Sequence, residues 1–242
     1  MPKAILTYHS LDDSRSVLSL HPDLFRLQMQ ALASSGVKVA SLPELRATPG
    51  PAVALTFDDG FANFAEVAAP LLASCGFPAT LFLVTDHCGG YNDWPSQGRR
   101  IPRLPLLSWK DIAELGRQGI DFGAHTATHP DLARLDAAGA QEEILSSKQR
   151  IEEATGRGVF SFAYPYGNAP AHARRIVAQH FAAGCSSRLG WVTQDSKPEA
   201  LERLDVYYLP RPFLFRRLFG PMARLYLALR GLLREWNRAR HS

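Results

Sequence analysis

Short apolar runs alternate along this chain with longer stretches in which apolar residues recur at helical spacing. The runs predict strands at Ala4–Tyr8, Val37–Ala40, Val53–Phe57, Thr80–Val84, Asp121–Ala124 and Phe160–Ala163, with another near Ala182–Cys185. The periodic stretches predict helices over Pro22–Ser35, Phe61–Cys75, Ser108–Gln118, Ala138–Thr155 and Ala169–Gln179. Gly36, Gly76, Gly119 and Gly156 follow four of these, at the place where a left-handed cap favours glycine. Strand and helix in alternation imply parallel strands joined by crossovers, so the fold class is α/β. Periodicity leaves a closed barrel and an open doubly wound sheet equally acceptable. In both, chemistry gathers just beyond the C-terminal ends of the strands.

Two segments break the alternation. Residues 85–107 lack periodicity and are rich in Gly, Pro and Arg. At that length they read as a functional loop over a site rather than a linker. From Phe215 onward, apolar residues fall at 215, 218, 219, 222, 225, 226, 229, 232, 233 and 236, the stripe of an amphipathic helix. Residues 1–213 therefore form the expected α/β domain and residues 214–242 a C-terminal helix.

Charge sharpens that division. The net charge is +4, but residues 214–242 hold seven arginines and one glutamate, a net of +6. The 20 basic and 22 acidic residues elsewhere leave the body at −2, which argues against a nucleic-acid footprint there. A basic amphipathic helix suits peripheral contact with an anionic membrane surface; packing on the domain with solvated arginines is the alternative. A hydrophobic content of 46% is that of a globular domain, and no run is long enough to span a bilayer. Cys75, Cys88 and Cys185, without C-x-x-C spacing, read as reduced thiols. No signal peptide precedes the first strand, so the expected location is cytoplasmic, at the inner membrane face if the tail docks there.

Three strand ends hold reactive groups. Thr56-Phe57-Asp58-Asp59-Gly60 sets two adjacent carboxylates after a strongly apolar run. Such a pair needs a cation or a shared proton, although capping of the next helix explains one aspartate as well. Gly123-Ala124-His125-Thr126-Ala127-Thr128-His129 places two imidazoles four residues apart, able to face one ion. One carboxylate and two imidazoles together suit zinc or another first-row divalent ion, with the remaining aspartate free to act as a base. Tyr164-Pro165-Tyr166-Gly167 fixes a backbone N–H at a third strand end, useful for an oxyanion, though a plain turn accounts for it too.

In this order the three motifs resemble the polysaccharide deacetylase family, also called the NodB-homology or carbohydrate esterase 4 group, over roughly Ala4 to Phe213. The resemblance implies a distorted (β/α)7-type barrel of the NodB-homology kind and hydrolysis of a sugar N-acetyl group. Carried over, Asp58 is the base, Asp59, His125 and His129 are the metal ligands, and the Tyr166 N–H helps hold the oxyanion. The ion implied is Zn2+, with Co2+ or Ni2+ able to substitute. The partner implied is an N-acetylated glycan or a lipid-linked oligosaccharide, as in exopolysaccharide biosynthesis.

The chain departs from the family pattern twice. Ala163 stands where an Arg commonly positions the catalytic Asp, and Leu209-Pro210-Arg211-Pro212 stands where a Leu-x-His motif commonly supplies the acid. His9, after Tyr8 at the end of the first strand, is the expected replacement acid, since deacetylases with an N-terminal Tyr-His pair look similar here. A structural histidine bonded to a carbonyl is the alternative. Arg211 is the expected substitute for the missing Arg, reaching Asp58 from the last strand; pairing with surface carboxylates is the alternative. Trp94 and Tyr91, in the long loop, are expected to stack on sugar faces. Two other functions remain open on sequence: hydrolysis of a small non-sugar C–N bond, and an inactive glycan-binding domain.

Overall fold

The computed structural model describes residues 2–209 and 212–241. Among them, eight strands occur in the order β1 (Lys3–Tyr8), β2 (Lys38–Val39), β3 (Ala52–Phe57), β4 (Ala79–Leu83), β5 (Asp121–Ala124), β6 (Ser161–Ala163), β7 (Ala183–Leu189) and β8 (Leu201–Asp205). All neighbours are parallel, and β1 bonds both β3 and β8, which closes the sheet into a barrel. The expected (β/α)7 architecture is therefore present.

The distortion lies at β3. β1 pairs with β3 along its whole length, from Lys3 opposite Ala52 to Tyr8 opposite Phe57. β2 and β4 must then share the other edge: β2 pairs with Ala52 and Val53, and β4 with Leu55 to Phe57. The expected strand Val37–Ala40 is thus only a two-residue filler, and the seventh barrel strand is β8, which the apolar pattern missed. β8 reads Leu201-Glu202-Arg203-Leu204-Asp205, and both central charges are buried. Each has a partner: Glu202 accepts from Ser196 Oγ at 2.7 Å and pairs with Arg188, while Arg203 pairs with Asp58. Paired charges pass into a core that unpaired ones avoid, so a hydropathy pattern overlooks such a strand.

Helices α1 (Pro22–Ala33), α2 (Ala69–Cys75), α3 (Trp109–Arg117), α4 (Ala137–Thr155) and α5 (Ala171–His180) coat the barrel close to the positions expected. Local chemistry sets their ends. Ser108 and Asp111 form a reciprocal capping box on α3, and Asp136 accepts from the Gly139 N–H at the start of α4. α2 is entered through a wide turn, Phe64–Ala68, in which the Ala69 N–H reaches back to the Phe64 carbonyl. Pro70 lacks an N–H, and so cannot continue a regular ladder through this point. Two further helices, α6 (Pro212–Arg216) and α7 (Pro221–His241), end the chain. None is long and apolar enough to cross a membrane among the described residues.

Both strand faces are buried, which explains their nearly continuous apolar runs. Ala4, Leu6, Tyr8, Val53, Leu55 and Phe57 pack outward under the helices. Ile5, Ala52, Ala54, Phe82, Ala163 and Cys185 fill the barrel. The interior is built mostly of small side chains around one large ring. A methyl group added at Gly123 would collide with the Phe82 ring and the Ser161 hydroxyl. Gly123→Ala is therefore expected to destabilise the fold by about 1–3 kcal/mol in urea melts, from overpacking. Phe82→Leu in the same chain should recover part of that loss, and an unchanged midpoint in Gly123→Ala would show that the barrel has slack.

Candidate active site

The C-terminal ends of the strands ring a cavity of about 300 Å³ whose lining includes His9, Asp58, Asp59, His125, His129 and Arg203. The expected functional loop closes one side, contributing Trp94, Gln97, Gly98 and Ile101. Backbone bonds fix that loop to the segment after β3: the Leu107 N–H donates to the Gly60 carbonyl at 2.9 Å, and the Ala62 N–H to Pro105 at 3.0 Å. Buried Asn92 staples its two arms, donating to the Pro102 carbonyl and accepting from the Leu104 N–H.

Among the described residues, five that are not glycine have a left-handed backbone, and four of them are Asp59, Thr126, His129 and Tyr166, with φ of 71°, 69°, 61° and 57°. Each costs about 1–3 kcal/mol and persists only where its surroundings enforce it, and such residues cluster at functional sites. The enforcement is visible in the histidine turn. Glu143 of α4 accepts from the Ala127 and Thr128 N–H groups, both at 2.9 Å, and from the Thr128 hydroxyl at 2.7 Å. Thr126 Oγ1 accepts from the His129 N–H at 3.0 Å.

These turns bring Asp59, His125 and His129 together, with one ligand atom from each lying within 4.8 Å of the others. His125 Nε2 is 3.4 Å and His129 Nε2 3.5 Å from Asp59 Oδ1. The other ring nitrogens set the tautomers. His125 Nδ1 is 2.7 Å from the Ala163 carbonyl, which can only accept, so Nδ1 bears the proton. His129 Nδ1 is 3.2 Å from the Tyr166 hydroxyl, whose own proton goes to Ser96 Oγ at 2.6 Å; Ser96 donates in turn to the His129 carbonyl at 3.3 Å. Outer hydrogen bonds of this kind aim metal-ligating imidazoles.

The electrostatics fit a cation. Burial raises the Asp59 carboxyl, but the hydrogen bond from His125 and the nearby His129 hold it below its ordinary value. Burial, reinforced by the neighbouring His125, takes His129 down to about 3, so its imidazole is neutral and offers a lone pair. His125 is disfavoured by burial but held above its ordinary value by Asp59 and Asp58. The buried Asp59 carboxylate thus retains a demand for positive charge at the point where the three side chains converge.

Asp58 has a separate partner. Arg203 of β8 donates Nη1 to Oδ1 and Nη2 to Oδ2, each at 2.7 Å, while its Nε donates to the Ser186 carbonyl at 2.9 Å. Burial raises the Asp58 carboxyl, but the guanidinium holds it far below the carboxylate range. Among the described residues, Arg203 thus holds the place expected for Arg211. Arg211 lies outside the described residues, and both Asp58 oxygens are already held by a strand that ends at residue 205. Ala163 faces the barrel interior, and its carbonyl orients His125 instead.

The remaining candidates fall as follows. His9 lines the cavity with its Nε2 3.8 Å from Asp58 Oδ2, and its side chain is one-fifth exposed. The Tyr8 side chain points the other way, into the helix layer, where its hydroxyl donates to Gln28. Trp94 is 2% exposed and stacks on His129 with centroids 4.2 Å apart, so that face is closed to a sugar. One face of the exposed Tyr91 ring is covered by Arg103, whose guanidinium sits 3.3 Å from the ring centroid. Sequence reasoning missed Arg203, Glu143 and Ser96. Arg203 left one trace, a charge between Leu201 and Leu204; Glu143 and Ser96 left none that separates them from surface residues.

The chain matches the model of a family described as polysaccharide deacetylase over residues 46–182. A Bacillus subtilis protein that carries the same family name is 24% identical over 210 residues, covering 84% of this chain and 70% of that one. The poly-β-1,6-N-acetyl-D-glucosamine N-deacetylase of Staphylococcus epidermidis is 29% identical over 158 residues, covering 59% of this chain but only 52% of its own length. A Streptococcus pyogenes deacetylase solved with acetate superposes with a TM-score of 0.74 at 26% identity, covering 85% of this chain and 92% of that one.

Two outcomes follow from the site's geometry. Arg203→Leu leaves Asp58 buried and unpaired, which should cost about 3–5 kcal/mol in urea melts at neutral pH. The pair's stabilisation is present above the unfolded carboxyl value of about 4 and is lost as pH falls through the depressed folded value. The gap between wild type and Arg203→Leu should therefore narrow progressively as the pH falls below about 4; a gap constant with pH would contradict the pairing. Tyr166→Phe keeps the backbone but removes the His129 partner, and should weaken zinc binding about 10- to 100-fold in chelator competition. Undiminished affinity would show that the hydroxyl does not orient His129.

Proposed function

The chain belongs to the polysaccharide deacetylase family, and from that membership and the geometry of its barrel mouth we propose metal-dependent removal of an N-acetyl group from a glycan, releasing acetate. The observation that supports this most is the division of labour between the adjacent aspartates. Asp59 faces two aimed imidazoles, whereas Asp58 is held apart by Arg203 with its carboxylate ionised. Asp59, His125 and His129 would hold the ion, and one carboxylate with two imidazoles suits zinc, with cobalt or nickel able to substitute. When bound, such an ion supplies a water of pKa about 7 and a Lewis acid for the acetyl carbonyl.

Asp58 accepts the proton of the attacking water, and Arg203 fixes the carboxylate so that no energy is spent on orienting it. The Tyr166 N–H, on a turn pinned by its left-handed φ, is assigned to the developing oxyanion. His9 donates to the sugar nitrogen as the C–N bond breaks, because an amide anion is too basic to leave unprotonated. Acetate and an amino sugar result. An N-acetylglucosamine-type glycan is the proposed substrate class, by likeness to the Staphylococcus relative. The free cysteines are consistent with a cytoplasmic location, where a lipid-linked oligosaccharide would be the accessible form of that substrate.

Acetate release from N-acetylated oligosaccharides, after chelation and restoration of zinc, tests the proposal. Asp58→Asn and His9→Ala should each lose about 10²- to 10⁴-fold in turnover. Near-normal turnover in Asp58→Asn with zinc bound would refute the assignment of the base. No acetate from any glycan, with zinc bound, would shift the reaction to a small non-sugar amide.

A further inference from the structure

The C-terminal helix has two apolar faces, and the fold uses only one. Ala223 and Leu227 are buried, each 1% exposed, continuing the contact made by Leu214, Phe215 and Leu218. Met222, Leu225, Leu229 and Leu233 on the same helix are 69%, 65%, 53% and 52% exposed. At about 100° per residue these four fall within an arc of roughly 80°, a continuous stripe pointing away from the barrel. A packed terminal helix explains the first face and leaves the second unexplained, since monomeric proteins seldom leave a contiguous apolar strip in water.

We propose that this stripe seats the chain on an anionic lipid bilayer. Charge selects this occupant. Residues 214–242 hold seven arginines and one glutamate, against −2 for the rest of the chain. Arg224 and Arg230 are exposed on the two sides of the helix, between the stripe and the packed face, with Arg216 and Arg217 exposed just before the helix. An interfacial helix needs this arrangement, with apolar side chains sunk to the acyl boundary and cations level with the headgroup phosphates. A second copy is disfavoured as the occupant, because it would press two segments of +6 together.

The helix also lies at the catalytic end of the barrel. A Cβ at Gly231 would sit 3.9 Å from the Leu189 carbonyl, at the C-terminal end of β7, two residues beyond Ser187 of the cavity lining. The docked helix would therefore lie beside the cavity end of the barrel, within reach of a sugar on a lipid anchor. That last step rests on the deacetylase reading, whereas the docking itself does not.

Flotation of the full chain with vesicles of phosphatidylcholine, with and without phosphatidylglycerol, tests the docking. Wild type should float at least about tenfold more with the anionic vesicles, and added salt should reduce the difference. Leu225→Ser/Leu229→Ser should lose flotation while keeping the wild-type melting temperature and its acetate release from a soluble oligosaccharide. Equal flotation of wild type and the double variant, or no flotation of wild type, overturns the proposal. So does a concentration-dependent dimer in size exclusion that the double variant abolishes, which would assign the stripe to a second copy. Flotation is read without turnover, so a chain that floats but releases no acetate would fail the deacetylase reading alone.

Discussion

Two carboxylates adjacent in sequence and buried at one strand end repel each other, and neither can stay ionised there without its own cationic partner. Asp58 and Asp59 are 3% and 4% exposed, so the constraint applies in full. The fold meets it by sending them to opposite partners. Asp59, at a left-handed φ, turns toward His125 and His129, and Asp58 turns toward Arg203. Much of the surrounding structure serves this separation. β8 must close the barrel to deliver Arg203, Ala163 must be small and present its carbonyl to His125, and α4 must place Glu143 beneath the histidine turn.

The same economy governs the shell around the ligands. His129 is gripped on three sides: by Trp94 against its ring, by Tyr166 at Nδ1, and by Ser96 at its carbonyl. Two of these residues come from the long loop after β4, so the loop that walls the cavity also orients a ligand. A ring held this way pays its orientational entropy at folding rather than at metal binding. The loop can hold its own shape because Asn92 and the backbone bonds to Gly60 and Ala62 make it a structured flap.

Much of this was legible in the sequence, for identifiable reasons. Helices α1 to α5 were readable because their periodicity and caps agree, as at Ser108 and Gly156. The grouping of Asp59, His125 and His129 was readable because they belong to local motifs at strand ends. β8 and Arg203 were not, because their signal lies in a pairing across 145 residues that no local pattern records. Val37–Ala40 misled for the converse reason: a short apolar run marks burial without saying whether a barrel edge is available to it. Trp94 was correctly placed near the site, but whether an aromatic face meets a sugar or a neighbouring imidazole depends on tertiary contacts alone.

The division between the two aspartates is most directly tested by metal content rather than by turnover. Chains purified as wild type, Asp58→Asn and Asp59→Asn would be equilibrated with zinc, and the bound metal measured per chain. If Asp58 belongs to Arg203 and Asp59 to the ion, Asp58→Asn retains one zinc per chain as wild type does, and Asp59→Asn loses it. Loss of zinc in Asp58→Asn, or its retention in Asp59→Asn, would contradict the arrangement on which the proposed chemistry depends.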